Sequence, residues 1–212
     1  MTDKLPTLIA LYSSQSGAGK STAASWLAQF GYVIYNQERV MQRMIWVLLG
    51  ELGYDERECS RMINDAPYER VSECGISTHD LIRTLTNEWG RACVRPDLWT
   101  IMLRKKLAVS LQRREKVVVD GILYPHEYDA LRKQGFRMWK IDRPEALGTH
   151  IQHIHSGLLD SEEFDVEIAN SSTRNEFDRK LMQQTGAPAE LPAGVENYEA
   201  LETMVQNAIE GK

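Results

Sequence analysis

The residues best suited to chemistry form a loop of small residues between an apolar run and a helical pattern. The apolar run is Leu8–Tyr12, and the loop closes on Gly19-Lys20-Ser21. Glycines let backbone N–H groups curve around a phosphate, and a helix that begins behind them adds the positive end of its dipole. The spacing matches the phosphate-binding pattern G-x-x-x-x-G-K-[ST], except that Ser14 stands where the first glycine belongs.

We therefore predict that the chain binds a nucleoside triphosphate. In this pattern the lysine reaches the β- and γ-phosphates, and the following hydroxyl, here that of Ser21, ligates Mg²⁺. The alternative is a glycine-rich turn before an ordinary helix, and the strand–loop–helix context argues against it. The predicted nucleotide-binding residues are Ser14, Gln15, Ser16, Gly17, Ala18, Gly19, Lys20, Ser21 and Thr22.

Two further charged residues follow apolar runs, at the ends of predicted strands. Asp120 ends the run Val117–Val119, where a carboxylate can enter the Mg²⁺ shell or orient an attacking group; a strand-end cap is the alternative. Arg143 follows Ile141-Asp142, where a guanidinium can stabilise charge on a transferred phosphoryl group; a surface arginine is the alternative. The carboxyl ends of parallel strands are where α/β proteins bind ligands.

A group of arginines lies in the middle of the chain, on or just after one predicted helix. At α-helical spacing, Arg83 and Arg91 share a face with Asn87, and Trp99 is close by. Such a group can clamp a substrate phosphate and pack its base, and a solvated charged face is the alternative. The predicted substrate contacts are Arg39, Arg83, Arg91, Arg95 and Glu127.

The elements that must position these residues alternate between strands and helices. Strands are predicted at 8–12, 32–35, 117–120, 136–141 and 165–169, and helices at 22–30, 38–52, 77–93, 96–114, 128–134, 174–184 and 196–209. The alternation predicts an α/β fold with a three-layer, doubly wound parallel sheet of the P-loop NTPase type. A chain of 212 residues can form it as one domain spanning 1–212.

Composition narrows the function classes. The formal net charge of −5 argues against a general nucleic-acid binder. Three scattered cysteines without a C-x-x-C pair suggest reduced thiols in the cytoplasm, and we expect no signal peptide or membrane span. His150, His153 and His155 lack a carboxylate or cysteine that would complete a metal site. We predict instead that their segment is a lid over the phosphates.

The order of the motifs resembles that of the phage deoxynucleoside monophosphate kinases, a branch of the P-loop nucleoside monophosphate kinases. The resemblance covers most of the chain. It rests on the P-loop, Glu88-Trp89-Gly90, Arg95-Pro96-Asp97-Leu98-Trp99, Asp120, His126-Glu127, Arg143-Pro144, Thr149-His150 and Asp165-Val166-Glu167-Ile168-Ala169-Asn170.

The resemblance implies transfer of the γ-phosphoryl group of ATP, with Mg²⁺, to a deoxynucleoside monophosphate. It implies Lys20, Asp120 and Arg143 as catalytic residues, with Ser21 and Asp120 as metal ligands. A helical segment at about 37–114 would bind the acceptor, and a lid would span about 144–163. It also implies a location in the cytoplasm of an infected bacterial host, no membrane partner, and compatibility with a homodimer.

Three departures from the family pattern fall on the acceptor side. The family's D-x-R is replaced by Asp120-Gly121-Ile122-Leu123, an apolar segment with a lysine is replaced by Asn36–Arg39, and the acidic lid residue is out of register. A second hypothesis is therefore a kinase that phosphorylates the hydroxyl of hydroxymethyluracil within phage DNA, since an acceptor on a polymer would not need the missing arginine. A third is a P-loop switch that hydrolyses nucleotide slowly.

Overall fold

A computed structural model describes residues 6–15, 17–143, 157–171 and 173–185, with the side chains of 184 and 185 outside the description. The chain forms two compact units. Unit 1 comprises residues 1–34 and 114–212, and unit 2 comprises 35–113. The strands are β1 (Leu8–Tyr12), β2 (Tyr32–Asn36), β3 (Lys116–Asp120), β4 (Arg137–Asp142) and β5 (Val166–Ala169). The α-helices are α1 (Lys20–Ala28), α2 (Glu38–Glu51), α3 (Glu56–Ser60), α4 (Thr78–Thr84), α5 (Leu98–Gln112), α6 (Pro125–Arg132) and α7 (Arg174–Thr185).

The five strands form one sheet in the order β2-β3-β1-β4-β5. The central strand β1 runs parallel to β3 and β4, and β4 runs parallel to β5. Apolar side chains continue along β1 and β3 without alternation, and residues 9–12 and 117–119 are wholly buried. A strand with both faces covered requires this pattern. The prediction of an α/β fold built on a parallel sheet is confirmed.

One core cluster of unit 1 lies between the sheet and helices α1 and α7. Trp26 and Leu27 of α1 pack with Phe177 and Leu181 of α7 and with Ile9 of β1. This packing fixes the start of α1 directly behind the end of β1. The glycine-rich loop therefore stands on a rigid base at the carboxyl edge of the sheet.

Unit 2 is helical and has its own core. Met41, Ile45 and Leu49 of α2 meet Ile82 of α4 and Trp99 of α5. Two of its helices begin with a side-chain cap. The side chain of Asp55 accepts from the backbone N–H of Glu58 to start α3, and that of Ser77 accepts from Asp80 to start α4.

The helix predicted at 77–93 is wrong as a uniform α-helix, because α4 passes into a π-helical segment at Leu85–Val94. The indole N–H of Trp99 donates to the carbonyl oxygen of Thr86 at 2.9 Å. The same indole lies so close to Gly90 that a Cβ there would come within 2.4 Å of it. The wider π-turn and the missing side chain both follow from the need to seat Trp99.

Other predicted boundaries also move. Pro96 was expected at the first position of its helix, but α5 begins at Leu98 with Asp97 as its N-cap. The cause is Arg95, which is extended, with a backbone N–H that donates to Gly90 and closes the π-helix. The predicted C-terminal helix at 196–209 and most of the predicted lid, residues 144–156, lie outside the described residues. Among the helices that are described, none combines the length and the hydropathy that a membrane span requires.

Candidate phosphate-binding site

The loop between β1 and α1 has the backbone shape of an anion cradle. Gly17 and Gly19 both have positive φ, +71° and +107°, in the left-handed region that side chains disfavour. At Gly19 a Cβ would also lie 2.7 Å from the amide nitrogen of Asn170. Glycine is thus required at Gly19 for two independent reasons. Since α1 begins at Lys20, its first N–H groups point into the loop, as an anion site requires.

Asn170, directly after β5, holds this loop from the far side. Its side chain is buried and its Nδ2–H donates to the carbonyl oxygen of Ala18 at 2.9 Å. Its own backbone N–H donates to the carbonyl of Asp142. The sequence alone predicted no separate role for Asn170. Its position one residue past a strand end, at the edge where ligands bind, was the signal that could have identified it.

Ser21 and Asp120 meet beside the loop, as the sequence predicted for a shared metal site. The Ser21 hydroxyl donates to Oδ2 of Asp120 at 2.9 Å, across 99 residues of sequence. Asp120 is buried at the end of β3, in register with Leu11. A hydroxyl and a carboxylate are hard oxygen ligands that fit Mg²⁺ when phosphates complete its shell. Within the described residues no cluster of three or more acidic, histidine or cysteine side chains forms an all-protein metal site.

Arg143 follows β4 and reaches the same loop. Its Nη1 lies 3.4 Å from the carbonyl oxygen of Gly17, and its side chain is otherwise exposed. The guanidinium is therefore within reach of an anion bound in the loop. The sequence placed Arg143 at a strand end, and the structure brings it to the glycine-rich turn.

Tyr12, the last residue of β1, anchors the chain segment that returns toward the sheet. Its hydroxyl donates to Oδ1 of Asp160 at 2.8 Å, and its ring stacks on Phe164. The Nζ of Lys140 lies 3.7 Å from the same carboxylate oxygen. Burial is the largest cause that raises the pKa of Tyr12 above its ordinary value, and the hydrogen bond to Asp160 is the next largest. The hydroxyl therefore stays protonated and acts as a donor. Sequence reasoning missed this anchor because Tyr12 and Asp160 are 148 residues apart in the sequence.

Glu127, predicted to contact substrate, performs a different task in the structure. Its buried carboxylate accepts from the backbone N–H groups of Leu123 and Tyr124 and so caps α6. The neighbouring His126 has a buried Nε2 with no hydrogen-bond partner among the described residues. The contacts of Glu127 are those of a helix cap, and the sequence could have indicated this because Glu stands at the third position after Tyr124.

The arginines of unit 2 are engaged with neighbours on their own unit. Arg83 donates to Glu88 and also lies 3.7 Å from Asp80. Arg91 donates to Asn87 at 3.2 Å, and Arg95 pairs with Asp97. The face that Arg83 and Arg91 were predicted to share presumes α-helical spacing, which the π-helix does not keep. Arg39 is the second residue of α2.

Unit 2 also contains a small cleft whose enclosed volume is about 10 Å³, room for roughly one water molecule. Gln37 lies on its wall, and within the described residues the buried Nε2 of that side chain has no hydrogen-bond partner. Burial, together with nearby Arg43, lowers the pKa of Lys106, which also lines the cleft. The other walls are mainly apolar and include Tyr35, Val40, Trp99 and Met102.

No protein-family model matches this chain, and no curated protein matches it. Solved structures do. TT1252 from Thermus thermophilus is similar over 86% of this chain and 98% of its own, with 17% identity and a TM-score of 0.45. The dephospho-CoA kinase from Campylobacter jejuni is similar over 83% of this chain and 94% of its own, with 14% identity and a TM-score of 0.44.

Proposed function

We propose that the chain is a phosphotransferase that moves the γ-phosphoryl group of ATP to a deoxynucleoside monophosphate. The observation that carries the proposal is the pairing of Ser21 with Asp120 beside the glycine-rich loop. A hydroxyl from the first turn of the helix and a carboxylate from the adjacent strand are the two protein ligands that P-loop enzymes supply to Mg²⁺. With Lys20 and Arg143 they supply the complete donor side of a kinase site.

The side chains act on the triphosphate by position and charge. Lys20 and the N–H groups that open α1 bind the β- and γ-phosphates, while Arg143 lies against the loop at Gly17. A bound Mg²⁺ would neutralise charge between the β- and γ-phosphates. An oxygen of the acceptor phosphate forms the new bond to the γ-phosphorus as the bond to the bridging oxygen breaks and ADP leaves. Asp120 is held in place for this step by its contact with Ser21.

The acceptor side of the proposal rests on unit 2. Its arginines pair with side-chain oxygens of their own unit, such as those of Asn87 and Asp97, which an incoming phosphate can replace. Arginines whose present partners can be replaced support a phosphate-bearing acceptor in preference to a purely hydrolytic switch.

One observation favours the second candidate, a kinase that acts on hydroxymethyluracil in DNA. The segment after Asp120 offers Gly121, Ile122 and Leu123 in place of an arginine, and Ile122 is buried. That strand end therefore carries no cation for a free monophosphate. Such an enzyme would need the target nucleobase to be flipped out of the duplex or to lie in single-stranded DNA.

The deciding experiment is phosphate transfer from γ-labelled ATP, with each deoxynucleoside monophosphate and hydroxymethyluracil DNA offered separately. We expect label in one free monophosphate, and none when Lys20→Ala replaces the wild-type protein, because the lysine neutralises charge on the transferred group. Circular dichroism would verify that Lys20→Ala is folded. Label in DNA alone would select the second candidate. Full transfer by a folded Lys20→Ala protein would refute the kinase proposal altogether.

A further inference from the structure

Asn170 places a buried amide directly behind the glycine-rich loop. The residue follows β5 and is only 8% exposed. Its Nδ2–H donates to the carbonyl oxygen of Ala18, which lies 152 residues away in the sequence. Ala18 is itself wholly buried, and a Cβ on the next residue, Gly19, would lie 2.7 Å from the same amide nitrogen. The side chain is therefore packed against the loop.

The hydrogen bond to Ala18 fixes the orientation of one peptide group of the loop. The Ala18–Gly19 peptide is trans, and in a planar trans peptide the C=O and N–H bonds point in opposite directions. Because the carbonyl of Ala18 points inward, toward the buried amide, the N–H of Gly19 points away from it, toward the open side of the loop. The N–H groups that begin α1 at Lys20 open in the same region. The N–H of Gly19 therefore joins the donors that can bind a phosphate.

This peptide needs an outside partner because glycine does not restrain it. Gly19 has φ +107°, and a glycine can leave such a conformation as readily as it adopts it. A flip of the peptide would turn the carbonyl oxygen of Ala18 toward a bound phosphate, where two negative groups repel. The same flip would set the N–H of Gly19 against the Nδ2–H of Asn170 and leave a buried donor without an acceptor, which is costly. Asn170 thus stabilises the peptide orientation that suits an anion.

We propose that Asn170 is a positioning residue for the triphosphate and acts by holding the N–H of Gly19 toward the phosphates. The inference rests on the triphosphate site of the proposed function, and it adds a residue that the loop pattern does not contain. The backbone N–H of Asn170 donates to the carbonyl of Asp142, one residue before Arg143, at 2.6 Å. That backbone bond remains when the side chain is replaced, so the role of the amide can be tested separately.

Calorimetric titration with MgATP and with magnesium tripolyphosphate, which has the phosphates but no base, tests the role of the amide. Asn170→Leu removes the donor at similar size, and Asn170→Ala removes it without bulk. We expect each variant to bind both ligands roughly 10- to 100-fold more weakly, because a charge-assisted phosphate contact is lost. Leu181→Ala, in the same core on α7, is the control: it should lower the melting temperature but leave both affinities unchanged while the protein is folded.

Folded Asn170 variants that bind both ligands as tightly as the wild type would overturn the inference. So would a loss for ATP alone, which would assign Asn170 to the base, or an equal loss in Leu181→Ala, which would reduce the effect to the stability of the fold. A wild-type chain that binds neither ligand would overturn both this inference and the proposed function. A wild-type chain that binds both ligands but transfers no phosphate would refute the proposed function alone, and weaker binding by the Asn170 variants would still support the positioning role.

Discussion

Among the predicted site residues, Arg143 is the one whose substitution should act mainly on the transfer step. Arg143 lies against the glycine-rich loop at Gly17. Under the proposed function, its charge would act on the phosphoryl group as that group moves. We expect Arg143→Ala to lower kcat by roughly 100-fold while the KM for ATP changes little, since transition-state interactions appear in kcat. Steady-state kinetics at saturating acceptor would measure both.

Arg143→Lys is the matched variant for that experiment. It keeps the charge but loses the planar fork of donors, so an intermediate kcat would show that geometry contributes as well as charge. If Arg143→Ala changes only the melting temperature and leaves kcat intact, Arg143 is a structural surface residue and the alternative stated from the sequence holds.

Single residues were predictable where their role depends on local pattern. Lys20, Ser21 and Asp120 could be chosen from the sequence, because each stands at a fixed distance from an apolar run, and Ser21 and Asp120 do meet. Asn170 and Tyr12 could not be chosen in the same way, because their importance comes from partners distant in the sequence. Glu127 caps α6 in the structure, and its substrate contact stays a prediction, since a helix cap and a substrate contact both call for a carboxylate.

At the scale of the element, the π-helix Leu85–Val94 depends on a glycine. The indole of Trp99 occupies the space that a side chain at position 90 would need. We expect Gly90→Ala to lower the free energy of unfolding by about 1–3 kcal/mol, because the clash forces the indole or the backbone to move. Urea denaturation followed by circular dichroism would measure it.

Gly50→Ala is the control for that substitution. Gly50 also lies in a helix, but nothing stands within 4 Å of where its Cβ would be. An alanine there should preserve stability or raise it by up to about 1 kcal/mol, since alanine is the better helix former. Equal effects of the two substitutions would show that the contact with Trp99 does not constrain the π-helix. Helical periodicity alone could not predict that element, because the Trp99 contact that widens it comes from the next helix.

The junction between β4 and β5 should make stability depend on acid. Burial by itself would raise the pKa of Asp165, but the N–H of Met138 and the guanidiniums of Arg137 and Arg132 together lower it. A carboxyl with a lowered pKa in the folded state stabilises the fold above its unfolded pKa of about 4, and that contribution disappears as the pH falls through the folded pKa.

We therefore expect Asp165→Asn to cost about 1–3 kcal/mol at neutral pH, because it removes charge-assisted hydrogen bonds from a mostly buried group. Below pH 4 the difference from the wild type should shrink. Melting temperatures measured across this pH range would show the convergence. A constant difference at every pH would mean that the ion pairs contribute nothing and that only packing was lost.

For the whole molecule, the nature of the acceptor is the central question, and two measurements bear on it. Arg91→Ala should raise the KM for the acceptor by roughly 10- to 100-fold and leave the affinity for ATP near normal, because a charge-assisted phosphate contact is lost. Arg104→Ala, an exposed arginine on α5 outside the predicted contacts, should change neither.

Salt dependence distinguishes the two acceptor classes. A free monophosphate should show only a mild decrease in affinity as salt rises. A DNA acceptor should show a steep linear fall of log K with log salt, since each phosphate contact releases counterions. If Arg91→Ala leaves the KM for the acceptor unchanged, then the acceptor does not bind at Arg91, whichever class of acceptor is phosphorylated.

Unit 2 is one uninterrupted stretch of chain, residues 35–113, entered once and left once. The loop at Gly17–Ser21, the carboxylate of Asp120 and the guanidinium of Arg143 all lie outside it in the sequence. Recombination can therefore lengthen, shorten or replace the part of this stretch that follows β2 without altering any of them, as insertions between two elements of a sheet allow. If the proposed function holds, a lineage built this way can inherit its donor chemistry unchanged while it acquires new acceptors, and chimaeras that exchange residues 37–113 between homologous chains would carry acceptor preference with the insert.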